Sequence, residues 1–357
     1  MCSFKNCVLL ALGAWLALAQ GVAQGAGYVD VLDLPARPSA LAMHSPLLDL
    51  ARAGQRLVAV GQRGHILYSD DAGKSWRQAE VPVSSDLSAV HFPSAGQGWA
   101  VGNDGVVLHS GDAGVTWNKQ LDGRQIGALV LKHYSDLATA EPDNEQWGLL
   151  AAEGQRLVEE GADKPFLDVW FANDKLGYVV GVFNLILRTE DGGQTWTPCQ
   201  DLTDNPQGFH LNAIASTGDG LYIAGEQGLL LKWDERGQRF NTVQTPYQGS
   251  YFGVIGQPGE VLVYGLRGHV FRSTDDGASW QPLGSDLQVN ITTAFLGDNG
   301  RYRLFTQAGH MLQTLAGDSP LQRVPQTEQS PIASAVQAAD GALVLVGSRG
   351  VRVLPVE

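Results

Sequence analysis

The sequence has few cysteines. Only three occur in 357 residues, and two of them, Cys2 and Cys7, lie within the first seven positions. The remaining Cys199 has no partner for an internal disulfide and cannot build a thiolate metal cluster. We expect Cys199 to be a small side chain beside the core, because a free cysteine packs like a small apolar residue.

Long apolar runs are absent beyond the N-terminal region. The one such stretch, Val8 to Ala19, is short for a membrane span. It follows Lys5 and precedes small residues, which predicts a signal peptide over residues 1–26, cleaved between position 23 and position 27. A retained anchor is the alternative. A lipoprotein is disfavoured, since no Leu-rich box precedes a cysteine at the end of the stretch.

Basic side chains are scarce as well. Once Lys5 is removed, 23 basic side chains face 37 acidic ones, a net charge of −14. This balance disfavours non-specific nucleic-acid binding. We expect the mature chain, residues 27–357, to be a soluble monomer outside the cytoplasm, in a bacterial periplasm.

What the sequence does contain is a box that occurs four times, with the pattern Ser/Thr-x-Asp-x-Gly-x-Ser/Thr-Trp. Its Asp, Gly and Trp positions are Asp71, Gly73 and Trp76; Asp112, Gly114 and Trp117; Asp191, Gly193 and Trp196; and Asp275, Gly277 and Trp280. Asp and Ser/Thr side chains bond backbone N–H groups of tight turns. Gly adopts conformations that other residues resist, and Trp supplies an apolar anchor. We expect these Asp residues to form turns rather than to catalyse or bind metal.

A longer repeat surrounds the box. Each copy has an apolar run, a turn and a second apolar run, and the residues that end the first run lie 40 to 44 positions apart, apart from one gap of 79. They are Gly61, Gly102, Gly181, Gly225, Gly265, Thr306 and Gly347. A period near ~40 residues with four short strands is typical of a propeller blade. The sequence therefore predicts an all-β, seven-bladed β-propeller with BNR/Asp-box repeats, in one domain.

Closure of the ring can also be predicted. The last repeat stops just past its third strand, so an outer strand must come from elsewhere or the sheet keeps an open edge. Residues Tyr28–Pro35 resemble the fourth strand that follows other boxes. We expect them to pair with Val351–Pro355 and to complete the seventh blade.

The 79-residue gap contains an insertion, residues 121–164, between blades 2 and 3. Two stretches in it have helical apolar spacing, and a turn at Glu141–Asn144 separates them. Their apolar positions are Ile126, Leu129, Val130, His133 and Leu137, then Trp147, Leu150, Ala151, Gly154, Leu157 and Val158. We expect a helical hairpin on the face that carries the turns between second and third strands. It is either functional or a solvated cover of the channel.

Three of those turns place Arg before Gly: Arg63, Arg267 and Arg349. On one rim of an acidic protein they could form a basic patch for a carboxylate, a phosphate or an acidic peptide. The alternative is that Arg is simply tolerated in exposed turns. His65, His269 and His310 follow the turn glycines in different blades. This position predicts strand starts rather than a metal site, which needs converging ligands.

These repeats resemble the photosystem II stability/assembly factor family of seven-bladed propellers. The resemblance is carried by Gly98–Trp117, Gly177–Trp196 and Val261–Trp280, and it extends over residues 28–357. It implies a non-enzymatic assembly factor, without a cofactor, that binds a membrane-protein precursor through an arginine-rich patch. Arg63 and its two counterparts are the candidates for such a patch. Nothing in the sequence indicates photosynthesis.

An enzyme is the rival interpretation, because sialidases also carry Asp-boxes. A sialidase would need an early Arg-Ile-Pro motif, further arginines for the substrate carboxylate and a Tyr–Glu nucleophile pair. Arg-Ile-Pro does not occur in the sequence. An ordinary glycosidase carboxylate pair or a carbohydrate-binding propeller stays open, since 37 acidic residues offer many pairs.

Overall fold

The structure is a computed structural model that describes residues 29–297, 299–315, 320–326 and 328–354. Within these ranges the strands form seven antiparallel sheets, six with four strands and one with three. Consecutive sheets pack against each other, and the last packs on the first. The predicted seven-bladed β-propeller is therefore confirmed.

The strands follow the repeat, and the first strand of each blade lies innermost. Blade 1 has β1 (Leu47–Ala53), β2 (Arg56–Gly61), β3 (Ile66–Ser69) and β4 (Arg77–Gln78); blade 2 has β5 (Leu87–His91), β6 (Gly98–Gly102), β7 (Val107–Ser110) and β8 (Asn118–Leu121). Blade 3 has β9 (Phe166–Phe171), β10 (Gly177–Gly181), β11 (Ile186–Thr189) and β12 (Thr197–Pro198); blade 4 has β13 (Leu211–Ser216), β14 (Leu221–Gly225), β15 (Leu230–Asp234) and β16 (Arg239–Thr242). Blade 5 has β17 (Tyr251–Gln257), β18 (Glu260–Gly265), β19 (Val270–Ser273) and β20 (Gln281–Pro282); blade 6 has β21 (Ile291–Leu296), β22 (Tyr302–Thr306), β23 (Met311–Gln313) and β24 (Gln322–Val324). Blade 7 has β25 (Ile332–Gln337), β26 (Leu343–Gly347) and β27 (Gly350–Leu354).

The second strand of each blade carries most of the core. Every residue of β6, β10 and β26 is buried, because neighbouring blades cover both faces of the sheet. This explains why the sequences of these strands are continuous apolar runs, without the alternation of apolar and polar residues seen in half-exposed strands. The repeat is thus visible in the sequence because each copy must fill the same space between two sheets.

The ring closes by packing between blades 7 and 1. Leu57 and Leu67 of blade 1 share one buried cluster with Val344 and Val346 of blade 7. The expected strand exchange is wrong. None of residues 29–35 lies in a strand, residues 31–34 form a turn, and the sheet of blade 7 has three strands in the part of the chain that is described. Tyr28 and Pro355, the ends of the predicted pair, lie outside the described residues.

The N-terminal segment instead lies against blades 1 and 2. Leu32 is buried in a cluster with Val83 and Val106. The backbone N–H of Ser84 donates to the carbonyl of Val31 at 2.8 Å. Burial of Leu32 at this seam removes the segment from the edge of blade 7, since a few residues cannot serve both places.

The insertion forms the predicted hairpin of two helices, α1 (Gly123–Ala140) and α2 (Glu145–Glu160). Asp122 caps α1: its side chain accepts from Arg124 N, and the Gln125 side chain accepts from Asp122 N. The helices touch closely at Gly154, where an added Cβ would lie 2.4 Å from Leu131 N. Any larger side chain at Gly154 would force the two helices apart.

The hairpin is fastened to blades 2 and 3. Ile126, Val130 and Leu157 are buried in the cluster that joins these blades, as their spacing predicts. Tyr134, which the apolar pattern missed, is fully buried, and its hydroxyl lies 2.8 Å from Asp201 Oδ1. Val158 was expected on the apolar face but is exposed.

Hydrogen bonds join the innermost strands across blade boundaries. An inner strand presents an unpaired backbone edge to the channel, and buried backbone groups need partners. In blades 2, 4 and 6 a polar side chain donates to a carbonyl of the next blade: Ser88 Oγ to Phe166 (2.7 Å), Asn212 Nδ2 to Tyr251 (2.8 Å) and Thr292 Oγ1 to Ile332 (2.6 Å). The sequence thus supplies a donor at the same repeat position in alternate blades.

In blades 1 and 3 the bridging side chain is an aspartate, which accepts a hydrogen bond from a backbone N–H of the next blade. Asp49 Oδ2 accepts from Val90 N and Asp168 Oδ2 accepts from Ile214 N, each at 2.8 Å. Both side chains are half-buried. Desolvation raises the pKa of both carboxyls, and that of Asp168 rises to about 7, with the charge of Asp49 adding to the effect. The fold therefore disfavours the ionised form of Asp168.

We predict that Leu32→Ala destabilises the protein by about 2–5 kcal/mol, because it empties a buried apolar site. Val29→Ala, at an exposed position of the same segment, should change stability by less than ~0.5 kcal/mol. Chemical denaturation of both variants measures the difference. Equal effects would show that the N-terminal segment does not contribute its buried contact in solution.

We predict that Asp168 makes stability fall as pH rises from about 4 to about 8. The folded pKa is raised, so the folded state holds a proton that the unfolded state has already released in this window, and ionisation then works against folding. Asp168→Asn should flatten this part of the profile of unfolding free energy against pH. The exposed Asp143→Asn should leave the profile unchanged; identical profiles for both variants would contradict the prediction.

Candidate protein-interaction face

One face of the ring carries the turns between the second and third strands, and we call it the turn face. In five of these turns the middle residue has a positive φ between 52° and 58°: Arg63, Asp104, Phe183, Gln227 and Arg267. A left-handed φ is uncommon outside glycine. The shared geometry places these five residues at equivalent points on the rim.

Two of the predicted arginines, Arg63 and Arg267, stand on turns that the next blade holds in place. The backbone N–H of Arg63 donates to Asp86 Oδ1 at 2.7 Å, and that of Arg267 donates to Asn290 Oδ1 at 2.9 Å. Both side chains are exposed. Neither makes an ion pair within the described residues. Their positive charges are thus carried on well-defined turns and available to a partner.

Arg349 differs from the other two. Its Nη1 lies 3.6 Å from Glu328 Oε1, and both side chains are exposed. Blades 7 and 1 are neighbours, so Arg349 and Arg63 occupy adjacent turns. Blade 6 separates them from Arg267. The three predicted residues therefore form a broad basic arc across blades 5, 7 and 1 rather than one tight cluster.

The helical hairpin stands on the same face, beside the arc. The first turn of α1 covers the turn of blade 2: a Cβ added at Gly105 would lie 2.7 Å from Ile126 Cδ1. Arg124 pairs with Asp33 of the N-terminal segment and with Asp122, each at 2.7 Å. Although burial opposes ionisation, hydrogen bonds from Arg124 and Lys119 lower the pKa of Asp122 to about 2. This network fixes the hairpin to the ring.

A cleft of about 630 Å³ lies between α2, the turn of blade 3 and the loop at residues 203–208 that leads to blade 4. Leu149 projects into solvent at its edge with 73% of its surface exposed, and Phe183, the turn residue of blade 3, is 51% exposed. Lys164 Nζ lies 5.8 Å from the centre of the Phe183 ring. This ammonium group is already paired with Glu160 and Asp163, each at 2.7 Å. The cleft therefore offers mainly exposed apolar surface.

The far wall of the cleft is the loop at residues 203–208, and buried amides hold it rigid. Asn205 Nδ2 donates to Asn184 Oδ1 and to the carbonyl of Phe209, and Asn205 Oδ1 accepts from Phe209 N. Thr203 Oγ1 also donates to Asn184 Oδ1. The cleft is thus preformed. Sequence reasoning missed it, although Phe183 at a rim position and Leu149 among polar helix residues were the available signals.

The Asp-boxes lie at the opposite end of the blades, between third and fourth strands. In the first box Asp71 Oδ1 accepts from Ser69 Oγ and from Ser75 N, and Asp71 Oδ2 accepts from Ser75 Oγ at 2.6 Å. Hydrogen bonds from Ser75 and Ser69 lower the pKa of Asp71 to about 2. The other three boxes repeat the arrangement around Asp112, Asp191 and Asp275. Each carboxylate therefore accepts hydrogen bonds from residues of its own turn.

The glycines and tryptophans of the boxes serve the same turns. Gly73 has a φ of 86° and donates its N–H to Ser69 Oγ at 2.9 Å, and Gly114, Gly193 and Gly277 do likewise in their boxes. Trp117 and Trp196 are buried, whereas Trp76 and Trp280 are partly exposed. An apolar anchor is expected to be buried, and the structure shows this for two of the four tryptophans.

The histidines that follow the turn glycines do not converge. His269 packs on Tyr247, with ring centres 4.2 Å apart, and His310 Nδ1 lies 3.1 Å from Arg323 Nη2. His65 is buried in another blade. In the part of the chain that the structure describes, no three His, Cys, Asp or Glu side chains are placed to share a metal ion. Cys199 is buried, as expected for a free cysteine that packs like a small apolar residue.

One family profile matches most of the chain. The profile of the family described as "Photosynthesis system II assembly factor YCF48" matches residues 35–141 and 150–350. The chain belongs to this family. The resemblance inferred from the repeats is thereby confirmed.

Two relatives show how far the likeness extends along the sequence. The photosystem II assembly lipoprotein Ycf48 of Parasynechococcus marenigrum (strain WH8102) is 30% identical over 192 residues, which are 52% of this chain and 57% of the relative. That of Synechococcus sp. (strain CC9902) is 28% identical over 169 residues, 46% of this chain and 50% of the relative. The chain thus spans about half the length of the curated relatives it matches.

Solved structures support the fold over nearly the whole chain. The structure titled "YCF48 bound to D1 peptide" has a TM-score of 0.63 and 14% identity, covering 88% of this chain and 94% of that one. The WD40 β-propeller domain of Doa1 has a TM-score of 0.60 and 10% identity, covering 91% and 97%. Similarity at these identities concerns the propeller architecture alone.

We predict that Trp117→Ala costs about 3–5 kcal/mol of stability, as large-to-small changes in a core do. The Trp117 ring is buried, contacts Phe92 edge-on, and donates from Nε1 to the carbonyl of Gly114 at 3.1 Å. Trp76→Ala, at a partly exposed ring, should cost clearly less. Urea denaturation compares the two; an equal cost would mean that burial does not decide how much each box contributes.

Proposed function

We propose that this protein is an exported, non-enzymatic scaffold that holds an acidic, extended segment of a membrane protein on its turn face. The observation that carries the proposal is the pair Arg63 and Arg267, exposed and without ion pairs in the described residues, on turns fixed by Asp86 and Asn290. In a chain with an excess of acidic residues, such arginines favour a carboxylate-bearing partner through charge-assisted hydrogen bonds.

The cleft beside the hairpin supplies the apolar part of the proposed site. Leu149 and Phe183 offer exposed apolar surface, and the amide network around Asn205 keeps the cleft open before a partner arrives. Preorganisation lowers the entropic cost of binding. An extended segment could therefore lay apolar side chains in the cleft while its carboxylates meet the arginines.

The relatives support a protein partner. One solved relative carries a D1 peptide according to its title, and others are named photosystem II assembly lipoproteins. By analogy we propose that this chain, as a monomer, binds a segment of an exported or membrane protein, and that it needs neither cofactor nor catalytic residue.

Export is proposed from the sequence and from these names. Residues 1–26 have the composition of a signal peptide, and lipoprotein relatives are carried out of the cytoplasm. Among the described residues, neither helix has the length and apolarity required to cross a bilayer. We propose that the protein acts in the periplasm.

We predict that replacing Arg63, Arg267 and Arg349 by Glu abolishes capture of the partner from solubilised membranes while the fold is kept. The charge reversal repels carboxylates, whereas exposed substitutions usually change stability by less than ~0.5 kcal/mol each. Pull-down with the purified variant, followed by mass spectrometry, measures capture. Thermal unfolding checks the fold.

The matched control reverses three exposed arginines at the other end of the blades, Arg52, Arg236 and Arg301, which sit in or beside the turns between neighbouring strands there. It changes the net charge by the same amount. Capture should survive this control. If both triple variants capture the partner as well as the wild type, the turn face is not the binding site.

A further inference from the structure

Arg352 occupies a position of the repeat that is apolar and buried in the other blades. In the pairing of second and third strands it stands opposite Leu345, where the six other blades place an apolar residue. Those residues, all buried, are Leu67, Leu108, Leu187, Leu231, Phe271 and Leu312. Blade 7 therefore has a guanidinium group in the space that a leucine or phenylalanine fills elsewhere.

This guanidinium is only partly satisfied. Arg352 Nη1 donates to the carbonyl of Glu328 at 2.8 Å, whereas Nε and Nη2 are buried and have no acceptor among the described residues. Burial lowers the pKa of Arg352. Buried donors of a charged group are costly when they have no acceptor. Two donors of this group are therefore left for an acceptor outside the described residues.

The strand that carries Arg352 also has no outer strand beside it in the described residues, although the segment Ala42–His44 packs near its first residue, Gly350. In blades 1, 3, 4 and 5 the first carbonyl of the third strand accepts a backbone N–H from the outer strand or the residue after it: Ile66 from Ala79, Ile186 from Cys199, Leu230 from Val243 and Val270 from Leu283, at 2.8 to 3.2 Å. Val351 is the equivalent residue of β27, because it pairs with Val346 as Ile66 pairs with Val60. In the described residues no outer strand reaches its carbonyl.

A small cavity connects these two features. It has a volume of about 130 Å³ and is lined by Arg349, Arg352, Val351 and the linker around Glu328 and Ser330. Glu328 is the one acidic side chain in the lining, and it is exposed and paired with Arg349 at 3.6 Å. The cavity can therefore accept a carboxylate beside the buried guanidinium.

We propose that blade 7 binds an extended segment of a partner protein as its fourth strand, and that a carboxylate of this segment bonds Arg352. The inference rests on the proposed protein-binding function and names the part of the partner that is recognised. Backbone pairing with an exposed sheet edge is a common mode of peptide recognition. The segment can be short, because the outer strands of the other blades have only two to four residues.

The positive charge of Arg352 and the unpaired edge of β27 together favour an acidic strand of a partner protein over other occupants. A second copy of the chain would have to pair β27 with β27 and would bring a second Arg352 to the first. A neutral strand would satisfy the edge but leave Nε and Nη2 of Arg352 without an acceptor. An acidic strand satisfies both, since a carboxylate accepts two N–H bonds of a guanidinium side by side.

The test uses two synthetic twelve-residue peptides of alternating Val and Thr, one with two central Glu and one with Gln at the same positions. Fluorescence anisotropy measures their binding to the purified chain. We expect the Glu peptide to bind at least tenfold more tightly than the Gln peptide. Arg352→Leu, which restores the residue type of the other blades, should reduce Glu-peptide binding to the Gln level and keep or raise the melting temperature.

Arg52→Leu is the matched control, since Arg52 is exposed at the far end of β1, and it should bind like the wild type. Hydrogen exchange locates the peptide directly: amides of Val351–Leu354 should become protected only with the Glu peptide. Equal binding of both peptides, equal binding by Arg352→Leu, or protection elsewhere would overturn the proposal. So would sedimentation that shows a dimer broken by Val353→Pro.

The outcome separates this inference from the proposed function. If the wild type and Arg352→Leu capture the same membrane protein equally and the Glu peptide does not bind, the strand site is wrong and the scaffold function stands. If the Glu peptide binds through Arg352 but no membrane protein is captured by the wild type, the strand site stands and the scaffold function fails.

Discussion

The structure depends on the packing of each blade against the next around a closed ring. Within the described residues no disulfide contributes to this packing, because Cys199 is their one cysteine. The second strands supply most of the buried surface, and polar side chains such as Asp49 and Ser88 bridge the inner edges between blades. Closure by packing means that a blade can lack an outer strand without opening the ring.

Blade 7 shows that a blade can lack an outer strand while the ring stays closed. Its second strand packs against blade 1 through Val344 and Val346, so the described residues complete the ring without a fourth strand there. The outer edge is consequently free to hold a residue as unusual as Arg352. An edge with a buried cation is a poor template for self-association, which protects an open strand that would otherwise favour aggregation.

The turn face gains its rigidity from polar contacts that lie far apart in the sequence. Asp33 meets Arg124 across 91 positions, and the hydroxyl of Tyr134 meets Asp201 across 67. These contacts tie the N-terminal segment, the hairpin and blade 3 into one surface. The cleft beside α2 lies between this fixed hairpin and the turn of blade 3.

The blade count, the Asp-box turns and the helical hairpin can be predicted from the sequence, because each depends on a local pattern: a ~40-residue period, a turn within eight residues, a helical spacing. The fold was needed to show where residues 29–35 lie and that Leu149 and Phe183 flank one cleft. It was also needed to show that Arg352 has buried donors without acceptors among the described residues. Those facts depend on which distant segments meet, and a two-residue outer strand or a single exposed side chain carries too little pattern to reveal its neighbour.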